Sequence, residues 1–136
     1  MFRHQVTVGF GDCDPARIAF YPNYFRWFDA AYNAYLFQYF GSFEEALTQI
    51  NTIGTGAMEV GARFHSPVVP GDVLELELRL SNWSRKSFQV DYLGSCKGRR
   101  VITGFEVRGA FVRVDGKVKA GSTAGLRRAL GLTDLG

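Results

Sequence analysis

The chain is poor in the residues that most often announce chemistry. Its 136 residues include two cysteines, Cys13 and Cys96, and two histidines, His4 and His65. Two thiols are too few for a disulfide scaffold or a four-ligand zinc site, and both are expected to be free. Neither histidine has an obvious acidic partner, so both read as structural. No His or Lys is identifiable that would activate the Cys13 thiol. The opening stretch, MFRHQVTVGFGDCD, lacks the apolar core of a secretory signal, which implies a cytoplasmic chain. There is no linker, repeat or low-complexity segment, so residues 1–136 read as one domain. Gly54-Thr55-Gly56 opens like a dinucleotide fingerprint, but Glu59 stands where the third glycine belongs. Asp12-Cys13-Asp14 opens like a calcium loop, but Arg17 and Asn23 replace the glycine and glutamate such a loop needs. No metal site is expected. No helix-turn-helix or RNP-type motif supports nucleic-acid binding.

What is present is ordinary globular composition, 46% hydrophobic and 21% charged, with twelve phenylalanines. A chain of this size buries roughly two-thirds of its unfolded surface, enough for a core. The net charge of +3 hides a split. Residues 1–78 carry four basic and nine acidic side chains, whereas residues 79–128 carry twelve basic and three acidic. A basic second half fits either an anionic partner or a solvated face of strands. Its doublets, Arg85-Lys86, Arg99-Arg100 and Arg127-Arg128, suit phosphate groups better than a long groove.

Residues 2–10 alternate with period two and predict a strand. Residues 11–23 form a loop punctuated by Gly11, Pro15 and Pro22. Pro22 and Asn23 then open a helix, with Asn23 as its cap, that runs to about Phe40 and stops at Gly41. The helix is apolar around most of its circumference and therefore buried. Its length approaches a membrane span, but Arg26, Asp29, Asn33 and Gln38 interrupt it, and no membrane is implied. Arg26, Asp29 and Asn33 form one polar stripe, as at a cavity or a subunit contact. Ser42-x-x-Glu45 has the form of a capping box before a short helix to about Ile50. Alternation then predicts strands over 58–64, 74–80 and from Phe88, and one long strand over 100–114 that bends near Gly104 or Gly109. Asp115-Gly116 signals a tight turn, and Leu126, Ala129 and Leu130 a short terminal helix. The fold class is α+β: an antiparallel sheet of about five strands covering one long helix.

One constellation carries chemistry. Asp12 and Asp14 lie just before a helix N-terminus, where free N–H groups and partial positive charge gather. Such N–H groups can stabilise an oxyanion while a carboxylate attacks a carbonyl or activates water. Spacing alone equally allows one Asp to cap a turn and the other to be surface charge.

The stretch GDCDPARIAFYPNYFRWFDAA closely resembles the signature of 4-hydroxybenzoyl-CoA thioesterases of the hotdog fold, and WSRKSF resembles a second segment of that family. The resemblance implies a hotdog, a long helix wrapped by an antiparallel sheet, assembled as a dimer or tetramer with the acyl pocket between subunits. It implies hydrolysis of an aromatic, benzoyl-type acyl-CoA with no cofactor beyond the CoA of the substrate. Asp14 matches the catalytic carboxylate, as nucleophile or general base, and Tyr21 the residue whose backbone N–H polarises the carbonyl. Asp29 matches a residue reaching the para substituent of the acyl group, and Thr55 a residue lining the same pocket. Arg85 and Lys86, with Ser87 beside them, match a segment holding CoA phosphates. Read from the residues alone, Asp29 could instead pair with Arg26, Thr55 could be a turn residue, and Arg85-Lys86 a solvated turn. Departures from the pattern are Arg17 for Gly, Phe25 for His, Ser84 for Arg, and no pocket Trp at 43–45. Arg17 could pair with Asp12 or Asp14, contact the CoA or narrow the pocket. Other readings are an aliphatic acyl-CoA thioesterase, a hydratase, and a non-catalytic acyl-CoA-binding subunit.

Overall fold

The computed structural model describes residues 1–131. Strand β1 (Phe2–Thr7) follows its alternation, with Phe2, His4 and Val6 half-buried and Arg3, Gln5 and Thr7 exposed. The alternation stops at buried Val8, because the chain turns into a 3-10 helix at Phe10–Asp12 that leaves the Phe10 ring outside.

Helix α1 spans Pro22–Phe37, three residues shorter than the apolar pattern suggests. Pro22 sits in the first turn, where a missing N–H costs nothing. Asn23 is not the cap: it lies inside the helix and is buried, while Tyr21 precedes the helix with torsions already helical. Helix α2 spans Phe43–Gln49, and Ser42 Oγ accepts the Glu45 N–H at 3.1 Å, the first half of the expected capping box.

Five strands form the main sheet: β1, β2 (Ala57–Phe64), β3 (Val73–Ser81), β4 (Phe88–Cys96) and β5 (Arg99–Arg108). Their order is β1-β3-β4-β5-β2, and every neighbouring pair is antiparallel. Leu74, Leu76 and Leu78 of β3, Phe88, Val90 and Tyr92 of β4, and Ile102 of β5 are buried. They form one core with Tyr24, Trp27, Phe28, Ala31 and Tyr32 of α1. Each large apolar side chain so buried contributes about 1.5–3 kcal/mol of transfer free energy. Phe28 stacks on Tyr92 with ring centroids 4.1 Å apart. Close approach of helix and sheet needs Gly104, because a Cβ there would stand 2.6 Å from the Phe28 ring and 2.9 Å from the Gly61 carbonyl oxygen.

The strand expected over 100–114 is broken at Gly109. Main-chain bonds from Gly109 to Gly56 and from Phe111 to Gly54 carry the next strand, β6 (Ala110–Val114), alongside the segment before β2. Asp115 and Gly116 both have positive φ, 51° and 77°, and close a hairpin onto β7 (Lys117–Gly121), a strand the pattern does not reveal. Helix α3 (Ala124–Ala129) follows.

Strand β2 is at the sheet's edge, and its apolar set is not covered. Met58, Val60 and Phe64 are 50%, 45% and 47% exposed. An uncovered apolar edge invites pairing with another chain.

Candidate active site

The two aspartates of the loop before α1 have different surroundings. Asp12 Oδ2 accepts the Gly9 N–H at 2.9 Å and closes the short 3-10 turn. Its backbone carbonyl accepts from Phe20 N at 2.8 Å and from Asn23 Nδ2 at 2.8 Å. Asp12 is therefore the structural member of the pair. Asp14 uses one carboxylate oxygen, Oδ1, to accept the Ala16 N–H at 2.9 Å, which folds the loop on itself. Among the described residues, nothing donates to its other oxygen.

Asp14 lines a cavity of about 420 Å³ with Ile18, Phe20, Tyr21, Tyr24 and Phe64. Tyr21 lines the same cavity. The way α1 begins leaves its amide free. Pro22 has no N–H, Asn23 N donates to the Phe20 carbonyl at 2.9 Å, and Tyr24 N donates to the Tyr21 carbonyl at 3.2 Å. Among the described residues, nothing accepts from Tyr21 N. Asp14, with one carboxylate oxygen that accepts nothing among the described residues, and Tyr21, with an amide that donates to nothing among them, thus line one cavity. Cys13, between the two aspartates, is a poor nucleophile: partial burial, then the Asp12 and Asp14 charges, push its thiol pKa up.

His65, which its sequence context marks as structural, is in the wall of this cavity, with Nε2 2.9 Å from Thr103 Oγ1. Only the return of the chain after β2 brings it there, and no spacing signals that. Arg17 is exposed and has φ of 64°. Among the described residues it makes no ion pair with Asp12 or Asp14. The positive φ explains why glycine suits this position.

Asp29 stands two turns further along α1, about 12 Å from Tyr21 at the usual helical rise. It does not pair with Arg26, whose Nη1 donates to Asn23 Oδ1 at 2.7 Å. Its partner is Arg108, whose Nη2 donates to Asp29 Oδ1 at 2.8 Å, while Asn33 Nδ2 donates to Oδ2 at 3.2 Å. Thr55 is beside them: its carbonyl accepts from Arg108 Nη1 at 2.8 Å, and its hydroxyl is 2.7 Å from the Tyr32 hydroxyl. Burial pushes the Tyr32 phenol up to about 12, so it stays protonated. Arg108, absent from any sequence expectation, is buried at the end of β5 beside Glu106. Two charged residues at alternate positions of a strand otherwise facing a core were the available signal.

Arg85, Lys86 and Ser87 occupy the turn between β3 and β4, with Arg85 and Lys86 exposed. The turn is closed by Ser84 N donating to the Ser87 carbonyl at 2.8 Å. Thr123, before α3, fastens it, donating Oγ1 to the Ser84 carbonyl at 2.6 Å and N to the Arg85 carbonyl at 2.9 Å. Within one chain this turn is at the opposite end of the sheet from Asp14. Phe88 and Ala57 are both in register with Arg108, whereas Phe64 is in register with Ile102.

Residues 8–130 match the thioesterase-like superfamily, and the chain belongs to that family. It is 36% identical over 85 residues to the 4-hydroxybenzoyl-CoA thioesterase of Pseudomonas sp. strain CBS-3. That match spans 62% of this chain and 60% of the relative. The structure of 4-hydroxybenzoyl-CoA thioesterase from the same strain superposes with a TM-score of 0.83 at 28% identity, covering 93% of this chain and 96% of that one. An aspartate-to-asparagine mutant of 4-hydroxybenzoyl-CoA thioesterase, complexed with 4-hydroxybenzoyl-CoA, superposes at 0.81 and 28% identity, covering 89% and 91%. A gentisyl-coenzyme A thioesterase superposes at 0.78 and 27% identity, covering 92% and 98%. The fold is accordingly a hotdog. Among the described residues no helix is long and apolar enough to cross a membrane.

Proposed function

We propose that this chain hydrolyses the thioester of an aromatic, benzoyl-type acyl-CoA, 4-hydroxybenzoyl-CoA or a near relative, to the free acid and CoA. The observation that carries the reading is that Asp14 and Tyr21 line one cavity and that, among the described residues, nothing accepts from Tyr21 N. A thioester carbonyl placed between them would receive the N–H on its oxygen and the carboxylate, or a water the carboxylate deprotonates, on its carbon. An N–H so placed would meet the negative charge that develops on that oxygen, so it would help the transition state more than the ground state. The C–S bond then breaks and CoA leaves as the thiolate. Where Asp14 attacks, a water must next cleave the acyl anhydride it forms, to give the free acid and a proton. Where Asp14 acts as base, the proton it took from water is the one that returns to the sulfur. The chemistry needs no cofactor. The names of the relatives, two of them hydroxylated benzoyl-type thioesterases, support the aromatic acyl group.

The reading includes a two-fold dimer, whose acyl pocket lies between copies. Pairing two β2 edges antiparallel would cover Met58, Val60 and Phe64. It would also bring the Phe64 end of one copy, with its Asp14 cavity, to the Ala57 end of the other. There Asp29, Thr55 and Arg108 lie, and the Arg85-Lys86 turn is nearby. Asp29 would then face the substituent of the acyl ring, and Arg85 and Lys86 the CoA phosphates. The reaction takes place in the cytoplasm, where the two thiols remain reduced.

A thiol-release assay across benzoyl, hydroxybenzoyl and straight-chain acyl-CoAs tests the proposal. Expected is a kcat/KM for the hydroxybenzoyl thioester at least tenfold above that for hexanoyl-CoA. Equal or faster turnover of the aliphatic chains would defeat the aromatic assignment, and binding without thiol release would make the chain an acyl-CoA-binding subunit.

A further inference from the structure

The end of β5 carries two charges that an apolar core does not need. Glu106 and Arg108, two residues apart and so on one face of the strand, are 2% and 3% exposed. A buried ion pair seldom adds stability, because desolvation rivals the attraction between its members. Here the pair is tied into a frame. Glu106 accepts from Arg108 Nε at 3.0 Å and Nη2 at 3.0 Å, and the Thr55 carbonyl accepts from Nη1 at 2.8 Å. The Tyr92 hydroxyl is 2.5 Å from Glu106 Oε1 and 2.9 Å from the Phe28 carbonyl. The Tyr32 ring lies under the guanidinium, 4.0 Å from its carbon. Burial works to lower the Arg108 pKa, but the bond and charge of Glu106, then the bond to Asp29, raise it above its ordinary value.

Held on these sides, Arg108 has one contact that leads outward. Its Nη2 bonds Asp29 Oδ1 at 2.8 Å, and the Asp29 side chain is 58% exposed against 4% for Arg108. The three side chains formally carry one net negative charge, placed at the accessible end. A guanidinium with planar, fixed donors gives an exposed carboxylate one orientation, which a flexible ammonium does not.

We propose that Arg108 is the positioning residue for acyl-group selectivity: it fixes Asp29 as an acceptor, favouring acyl groups with a hydroxyl donor and disfavouring those with a second carboxylate. The inference rests on the reading of Asp29 as the residue facing the acyl substituent. A flexible Asp on a helix surface would give its hydrogen bond to water as readily as to substrate. Fixed orientation is what converts a hydroxyl into a large difference in kcat/KM.

The test is the ratio of kcat/KM for 4-hydroxybenzoyl-CoA to that for benzoyl-CoA. The ratio does not depend on the fraction of enzyme folded, so a merely structural role would not move it. It is measured for the wild-type protein, Asp29→Asn, Arg108→Lys and the double variant Arg108→Met/Glu106→Leu. The double variant removes both buried charges together and leaves neither unpaired. Expected is a wild-type ratio of at least about tenfold, collapsing toward unity in all three variants. If Asp29→Asn collapses the ratio while both Arg108 variants keep it, the inference is overturned and the role of Asp29 survives. If Asp29→Asn keeps the ratio, or the wild type shows none, the reading of Asp29 fails and takes the inference with it.

Discussion

The side-chain amide of Asn23 holds the backbone of Asp12: Nδ2 donates to the Asp12 carbonyl at 2.8 Å. Asn23 is inside the first turn of α1, and Asp12 opens the loop that carries Asp14, so this bond joins the two halves of the site. Phe20 N donates to the same carbonyl at 2.8 Å, and the Asn23 side chain is itself steadied by Arg26. Asn23→Ala should cost about 1–3 kcal/mol, because it removes a part-buried hydrogen bond and leaves the Arg26 donor without its partner. It should also lower kcat about 10–100-fold by loosening Asp14 against the Tyr21 N–H. Urea midpoints and saturating kcat values measure the two effects separately. Lost stability with unchanged kcat would show that Phe20 alone holds the loop in place.

Asp14→Asn preserves the size of the side chain, and its amide oxygen can still accept the Ala16 N–H. It cannot attack a carbonyl or take a proton. A fall in kcat of about 10²–10⁴ is expected, with KM for the acyl-CoA little changed. A kcat within a few fold of wild type would remove Asp14 from the mechanism. Asp12→Asn distinguishes the two aspartates, since its main loss is a weakened cap on the Gly9 N–H. That variant should lower stability more than kcat.

Asp72, in the turn before β3, gives the protein an acid-sensitive element. Its Oδ2 accepts the Val69 N–H at 2.9 Å, and Lys97 and Arg99 approach at 3.6 and 3.5 Å. The Val69 bond lowers its pKa below the ordinary 3.8; burial opposes this, and the two cations reinforce it. A carboxylate with a lowered folded-state pKa contributes stability that is complete above its unfolded value. That stability is lost as pH falls through the folded one. The gap in stability between wild type and Asp72→Asn should therefore be constant above about pH 5 and close below about pH 4. Denaturant midpoints read at several acid pH values would show it. A gap that persists unchanged into strong acid would mean that the charge of Asp72 contributes nothing.

The sheet and the central helix were legible in the sequence because each follows one period without interruption: Leu74 to Leu80 in steps of two, and the apolar surface of α1. A bend near Gly104 or Gly109 was expected, but not that the strand breaks at Gly109, since β5 and β6 share one alternation; a Cβ there would stand a tight 3.3 Å from the Lys86 carbonyl oxygen and the Met58 side chain. Strand β7 was missed because Lys117-Val118-Lys119 is short and polar, and becomes a strand by pairing across the Asp115-Gly116 turn. Within the candidate site, Asp14 was singled out with Asp12 by its place just before a helix start, and Tyr21 by the resemblance, and the structure puts Asp14 and Tyr21 on one cavity. Arg108 lies 79 positions from Asp29 and His65 far from Asp14, and such contacts are made by register, not spacing.

The turn at 84–87 offers a separation of binding from chemistry. Ser84 and Ser87 close it through their hydroxyls, 2.7 Å apart, and Thr123 clamps it from α3. The turn is thereby rigid while Arg85 and Lys86 remain exposed. A phosphate contact remote from the carbonyl is made equally in ground and transition states, so its loss raises KM more than it lowers kcat. Arg85→Ala should raise KM for the acyl-CoA about tenfold, the equivalent of about 1.4 kcal/mol. The same acyl group on N-acetylcysteamine has no phosphates, and its KM should be the same for wild type and variant. Thr123→Val keeps Arg85 but releases its backbone, so it should raise KM for acyl-CoA by a smaller factor, again without effect on the truncated thioester. A fall in kcat on both thioesters with KM unchanged would place Arg85 away from the phosphates.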